Sequence, residues 1–335
     1  MGLWLVDADT LARSSFVVSP LVETVACLTT LAVRRPPHPG VRPWLDRHLP
    51  DYDERLRADP VTALLVEAAL QPRWIADFLA PVPPHPQSLT FRQELGRIRG
   101  ASPDTVLADL DTATGGRLPA ALARHRDELP GRAADLLEWV WSSTLQPLWP
   151  RRRRLFEADV LSRTGQLSSG GWAAALDRMR PGMRWLGDGR LQINRTDNPP
   201  RDLSGARLVF VPASVHRGWV SWDEPHHYAV VYPCSGPLAE PAAPAAPEAL
   251  SRLLGPGRAA VLVLLAAPRS TTQLVALTGQ GLGSVGRHLK VLLDAGLVDR
   301  RRAGRSVLYQ RTPAGDVLTG AAPKSTSPGP VDDIA

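Results

Sequence analysis

The sequence predicts a mainly α-helical chain with small β elements, divided into a long N-terminal domain and a small C-terminal one. Three observations carry this reading. Ser19-Pro20, Asp59-Pro60, Ser102-Pro103 and Trp149-Pro150 each set a cap or boundary residue before a proline. Proline suits the first helical position, where its missing N–H has no intrahelical partner to lose. A run rich in Pro and Ala, residues 233–247 (PCSGPLAEPAAPAAP), reads as an extended, semi-stiff linker. Finally, Gly283–Arg311 (GSVGRHLKVLLDAGLVDRRRAGRSVLYQR) reads as a helix, a glycine stop, a strand, a basic turn and a returning strand.

The N-terminal domain spans residues 1–232 and is expected to be helical to about residue 180. Leu136–Leu148 and Leu155–Leu167 have helical apolar spacing. From about 183 the pattern changes. Trp185–Leu191 reads as a hairpin about Asp188-Gly189, and Leu208–Pro212 and Tyr228–Tyr232 read as short strands, so this domain should carry a β appendage.

The C-terminal domain, residues 248–319, is expected to open with a short helix, Glu248–Leu254, after Pro247. Arg258–Ala267 reads as a buried helix, and Ser270 or Thr271 can cap the next one, which closes at Gly279. In the helix after that, Val285, Leu289, Leu292 and Leu293 form one apolar stripe. Ser284, Arg287, His288 and Lys290 lie off that stripe, toward solvent or a groove. Gly296 suits a left-handed cap. Leu297–Arg302 and Ser306–Gln310 then form a two-stranded wing whose tip carries Arg300, Arg301, Arg302 and Arg305. Thr312-Pro313 starts a last short helix, and the tail, 320–335, reads as disordered. This order is a winged helix-turn-helix.

Charge follows the same division. The chain has a formal net charge of +6. Residues 247–320 hold ten Arg or Lys against four Asp or Glu, so this segment alone carries an excess as large as the whole chain's. Concentration on one motif-bearing domain is what a phosphate-binding surface requires.

Residues 250–311 resemble the ArsR family of winged-helix repressors. The resemblance rests on Gly257-Arg258, Ser284-Val285, Arg287-His288-Leu289-Lys290-Val291-Leu292, Asp294-Ala295-Gly296-Leu297-Val298 and Gly304-Arg305. It implies binding to double-stranded DNA as a homodimer, and control of transcription by a bound small-molecule effector. Arg287, His288 and Ser284 are then expected to read the major groove, Lys290 to meet a phosphate, and the wing arginines to hold phosphates or enter the minor groove. Family members often carry Ser, Gln or Thr at the start of the recognition helix; this chain has Gly281, Leu282 and Gly283 there, with Gly286 further on. Metal-sensing members carry paired cysteines on the preceding helix, whereas Thr271–Thr278 has no Cys, His or acid, so no metal is expected. The N-terminal domain resembles the long N-terminal domain of actinobacterial ArsR-type regulators. The shared features are Asp77-Phe78-Leu79-Ala80-Pro81, Phe91-Arg92-Gln93-Glu94-Leu95, Leu148-Trp149-Pro150, Glu157-Ala158-Asp159 and Val211-Pro212.

The remaining features are weaker. All ten tryptophans fall at or before Trp222; most serve packing, while Trp219 and Trp222 are the candidate walls of an effector pocket. Asp223, Glu224, His226 and His227 surround Pro225 and read as a solvated turn rather than a metal site. Arg151–Arg154 open a helix against its macrodipole; the run reads as a solvated or ion-paired face, with contact to flanking DNA as the alternative. Cys27, in an apolar helical run, reads as a buried small residue. With no zinc spacing, no signal-peptide pattern and no bilayer-length apolar run, a reduced cytoplasm, at the nucleoid, is the expected location. No G-x-S-x-G, P-loop or H-E-x-x-H pattern occurs, and no enzyme or cofactor is expected. Two alternatives stand beside a regulator: a winged helix that docks a protein partner, and an enzyme with an appended regulatory winged helix.

Overall fold

The computed structural model describes residues 2–37, 41–72, 74–83, 89–176, 179–194, 199–223, 226–234, 246–266, 268–303 and 306–320. Most of the expected linker, the tail from 321, the turn residues Glu224 and Pro225, and the wing residues Gly304 and Arg305 lie outside these. So does the side chain of Arg302. The chain forms two compact units, Met1–Glu240 and Pro241–Ala335.

The N-terminal unit holds helices α1 (Ala8–Arg13), α2 (Pro20–Val33), α3 (Arg42–Ala58), α4 (Pro60–Ala69), α5 (Phe91–Arg99), α6 (Pro103–Thr114), α7 (Ala120–Arg124), α8 (Leu129–Val140) and α9 (Trp149–Leu176). Three of the expected starts are capped as the sequence implies. Ser19, Asp59 and Ser102 accept from the backbone N–H groups of Val22, Thr62 and Thr105 at 3.0, 3.1 and 3.0 Å. Val25, Leu28 and Leu31 of α2 join Leu65, Ile98, Leu110 and Leu137 in the main helical core.

Two helices differ from expectation. Leu136–Leu148 is not one helix: α8 ends at Val140, a π turn covers Trp141–Leu145, and a 3-10 turn covers Gln146–Leu148. Pro147 has no N–H to offer and its ring crowds the preceding turn, so regular α geometry cannot pass through it. The segment Leu155–Leu167 sits inside the longer α9, which kinks at Gly171 (φ 65°, ψ −172°).

The β elements are small, and they include strands before residue 183 as well as after it. Strands are β1 (Leu3–Leu5), β2 (Ser15–Phe16), β3 (Leu70–Gln71), β4 (Trp74–Ile75), β5 (Arg184–Gly187), β6 (Arg190–Gln192), β7 (Arg201–Asp202), β8 (Arg207–Ala213), β9 (Val220–Asp223) and β10 (His227–Pro233). They form sheets of order β5-β6-β1-β7 and β2-β8-β10-β9, and β3 pairs with β4. The hairpin turns at Asp188-Gly189 as expected, both with positive φ. A Cβ on Gly189 would come 2.7 Å from the Val6 carbonyl oxygen, so glycine is required where β1 passes. β8 and β10 are parallel and buried on both faces. Leu208, Phe210, Tyr228, Val230 and Tyr232 face one core, while Val209, Val211, Ala229 and Val231 meet Val22 and Ala26 of α2. Two-sided burial explains why both segments read as unbroken apolar runs.

Buried polar ties join these layers. The Glu94 carboxylate of α5 accepts from Leu21 N at 2.9 Å and Ser19 Oγ at 2.7 Å, serving the open N-terminus of α2. Burial pushes it up to about 7, against the bonds from Leu21 and Ser19. Asp159 of α9 accepts from Tyr232 OH at 2.8 Å and from Arg163 Nε at 3.0 Å. The Arg151–Arg154 run is accounted for in part by Arg152, which is 7 % exposed and paired with the fully buried Glu23. Glu23 also accepts from Ser214 N at 2.8 Å and Ser214 Oγ at 2.5 Å. Cys27 is buried as expected, 3.2 Å from Arg152 Nη1, and burial pushes its thiol up to about 12.

The C-terminal unit runs α10 (Glu248–Leu254), α11 (Pro256–Leu264), β11 (Arg269–Ser270), α12 (Thr271–Thr278), α13 (Leu282–Asp294), β12 (Val298–Ala303), β13 (Ser306–Arg311) and α14 (Pro313–Leu318). Its sheet has the order β11-β13-β12. Val261, Leu262, Leu264, Leu274, Val285, Leu289, Leu292 and Val298 form the core. α11 stops at Leu264, short of the expected Ala267, and Arg269 Nε donates to the Leu264 carbonyl at 2.5 Å. That buried arginine fixes β11 beside β13. Among the described residues, no helix is long and apolar enough to cross a membrane.

Candidate nucleic-acid interface

The interface is built on α12, α13 and the wing. Ser270 caps α12 in a reciprocal box with Gln273: Gln273 N donates to Ser270 Oγ at 3.2 Å, and Ser270 N to Gln273 Oε1 at 2.8 Å. Gly279 (φ 69°) ends the helix in the left-handed region. The chain turns at once into α13, whose apolar stripe seats Val285, Leu289 and Leu292 in the core, with Leu293 partly buried beside them. Gly296 (φ 65°) closes α13 and releases the chain into β12.

Burial on one side of α13 exposes the other. Gly283, Gly286, Arg287, Lys290, Val291 and Asp294 form the outer face. Arg287 and Lys290 therefore stand where the sequence placed them. Ser284 and His288 do not share that face. They flank the stripe, half-buried, with Ser284 Oγ and His288 Nε2 3.4 Å apart. The reason lies in α11: a Cβ on Gly257 would stand 2.6 Å from His288 Nε2, so the glycine makes room for the ring. Burial, with Arg258 and Arg287 nearby, holds His288 below the usual histidine value and favours the neutral ring.

No fold contact demands glycine on the outer face. A Cβ on Gly281, Gly283 or Gly286 meets nothing within 4 Å. Two glycines in the helix are thus retained at a propensity cost of about 1 kcal/mol each. Bare positions let another backbone approach α13 closely.

The wing pairs Arg300 with Tyr309, Arg301 with Leu308, and Arg302 with Val307. Strand alternation puts Arg300 on the face shared with Val298, and Arg301 on the opposite face. Arg300 and Arg301 are consecutive in sequence, yet the ladder sends them to opposite sides of the ribbon. Arg300 and Arg301 are exposed; Arg305 lies outside the described residues. Sequence reasoning missed the third strand, β11, and the anchoring role of Arg269, because two residues carry no periodicity. At the far end, Thr312 caps α14 and Arg311 Nε lies 3.0 Å from Asp316 Oδ1.

The other predicted residues, Trp219 and Trp222, are brought together. Trp222 lies on β9 and Trp219 just before it. Both line a cavity of about 460 Å³ in the N-terminal unit, with Trp4, Trp74, Asp77, Arg180 and Arg201. No group of three or more His, Cys, Asp or Glu side chains is placed to hold a metal ion among the described residues; His226 N donates to the Asp223 carbonyl at 3.3 Å.

Residues 255–300 match the family model described as "Bacterial regulatory protein, arsR family". The match runs from the start of α11 into β12, and so covers the helix-turn-helix and the first wing strand. The C-terminal unit thus carries an ArsR-family helix-turn-helix domain, which places the chain among DNA-binding transcription regulators. Comparison with curated proteins and with solved structures gave no match.

Proposed function

We propose that the chain is a homodimeric, effector-responsive repressor acting in the cytoplasm, at the nucleoid, on a pseudo-palindromic operator. One observation carries the reading: Arg287 and Lys290 on the outer face of α13, and Arg300 and Arg301 on the wing, are exposed within a domain matched to the ArsR family. A helix with one buried stripe and a basic outer face fits the major groove. In this reading Arg287 contacts base edges, while Ser284 and His288 stand at the groove margin as an elbow against α11. Lys290 meets a phosphate. The wing arginines, Arg302 and Arg305 included, grip the flanking backbone or minor groove. Two such heads in a dimer reach half-sites about one DNA turn apart. A ligand in the N-terminal unit shifts the balance between states of different operator affinity.

The test is binding to a recovered operator across a salt series, with the assembly state followed by sedimentation. The parent should bind as a dimer with a steep salt slope. Arg300→Ala with Arg301→Ala should flatten that slope by about 0.9 for each phosphate no longer neutralised. An unchanged slope would take the wing off the DNA. Binding by a monomer would remove the two-head arrangement.

A further inference from the structure

We propose that the cavity of the N-terminal unit is a binding site for a flat aromatic anion, with Arg180 as its counter-charge and indole rings as its walls. The proposal deepens the effector-responsive reading, since it names the chemical class of the ligand.

The walls come from separate parts of the chain. Trp4 lies on β1, Trp74 on β4, and Trp219 and Trp222 at β9. Trp74 and Trp222 meet edge to face, with centroids 5.7 Å apart. Arg201 lays its guanidinium over Trp222, 4.3 Å from the ring centroid. Aromatic walls of this kind select flat apolar bodies, and about 460 Å³ falls within the range of small-molecule sites.

The polar groups select the charge. Trp74 Nε1, Trp219 Nε1 and Arg180 Nη1 are buried without a hydrogen-bond partner among the described residues. All three are donors, and all three belong to residues lining this cavity. Leaving such a group unpaired costs about 1–3 kcal/mol, so an acceptor brought within reach of any of them is favoured. Arg180 adds a second argument. Its Nε and Nη2 donate to the carbonyls of Arg217 and Gly218, both at 3.3 Å, and among the described residues no carboxylate pairs with it. Burial alone pulls the guanidinium down to about 10. A buried cation with no counter-ion among the described residues is a costly arrangement that a ligand carboxylate relieves. The acid in the lining, Asp77, does not fill that role: the cation that acts on it is Arg201, while burial and Asp109 push it up to about 6, and burial is the one influence on Arg180.

The site is also held in shape. Gly218 (φ +68°) sits so close to β10 that a Cβ would stand 2.0 Å from the Val231 carbonyl oxygen. The Arg180 bonds to 217 and 218 thus fix the segment that carries Trp219.

The experiment is calorimetric titration of the full-length, DNA-free protein with benzoate, 2-naphthoate and anthracene-2-carboxylate, each beside its neutral carboxamide. At least one carboxylate should bind saturably, about ten-fold or more tightly than its amide, as one charge-assisted hydrogen bond implies. Arg180→Met should abolish that preference, and Arg180→Lys should keep much of it. Trp74→Phe and Trp219→Phe retain a ring but remove the donor, and should weaken the anion by a smaller factor. These two leave the Arg180 bonds in place, so they report on the site even where Arg180→Met disturbs folding. Equal binding of acid and amide, no saturable binding by any of the three pairs, or unchanged binding in both tryptophan variants would overturn the proposal. Because no DNA is present, that outcome leaves the winged-helix reading untouched, and a failure to bind DNA leaves this site untouched.

Discussion

Arg152→Met separates two explanations of the Arg151–Arg154 run. If the run met flanking DNA, the variant would weaken DNA binding and leave folding alone. The structure requires the reverse. Arg152 lies against α2, paired with Glu23, which has no exposed surface, and its guanidinium carbon stands 5.8 Å from the Trp44 ring centroid. Removing it leaves Glu23 with the two Ser214 donors and no counter-charge among the described residues. Breaking one side of a buried pair costs about 3–5 kcal/mol. In a unit of this size each kcal/mol moves the melting point by about 2–4 °C, so a fall of about 6–20 °C is expected. Tryptophan fluorescence is the natural probe, because all ten tryptophans lie in the N-terminal unit. Arg154→Met, at an exposed position, should shift stability by less than about 0.5 kcal/mol. Glu23→Gln combined with Arg152→Met should recover part of the deficit, since the remaining group no longer needs a counter-charge. A melting point for Arg152→Met within about 1 °C of the parent would refute the buried-pair argument.

Other consequences follow from the same physics. Glu94 is lifted from 4.5 to about 7, so the folded form holds its proton where the unfolded chain has released it. That contribution is full below about pH 4.5 and is lost as pH rises through about 7, an upper bound of about 3 kcal/mol. Glu94→Gln should therefore flatten the fall in stability across that window; urea midpoints at several pH values check this, and an unchanged slope counts against it. Gly286→Ala should strengthen α13 by about 1 kcal/mol in the free protein, as read by hydrogen exchange, and should weaken DNA binding if the bare position permits close approach. Stronger helix with equal or better binding would show that DNA does not come close there. Arg287→Ala should chiefly reduce discrimination between sequences, by about 1–3 kcal/mol at one base step in a competition assay. A uniform weakening over all sequences would place Arg287 on a phosphate.

What the sequence reveals depends on how local the signal is. The C-terminal domain is written in short-range code. The stripe of Val285, Leu289 and Leu292, the Ser270 cap, the Gly279 and Gly296 stops and the alternating wing can each be read within about a dozen residues. The outward placement of Arg287 and Lys290 follows from the same stripe. Helical spacing alone points His288 outward as well, yet its neighbour is Gly257 of α11, an approach that spacing along one helix does not register. The N-terminal sheets lie further out of reach. β1 pairs Trp4 with Leu191 and with Arg201, and β2 pairs Phe16 with Phe210, and β1 and β2 are strands of three and two residues with no detectable period. The indoles of the cavity come from β1, β4 and β9, far apart in sequence, so the sequence points to Trp219 and Trp222 but not to Trp74 and Arg180.

The central claim is that the C-terminal unit recognises a defined DNA sequence. Its most direct test is selection of bound fragments from a genomic DNA pool by the purified full-length protein at physiological salt. Recovery of a shared inverted repeat with half-sites about one helical turn apart, abolished in the Arg300→Ala, Arg301→Ala variant, is the predicted result. Enrichment without any common motif, or no enrichment at all, would contradict it.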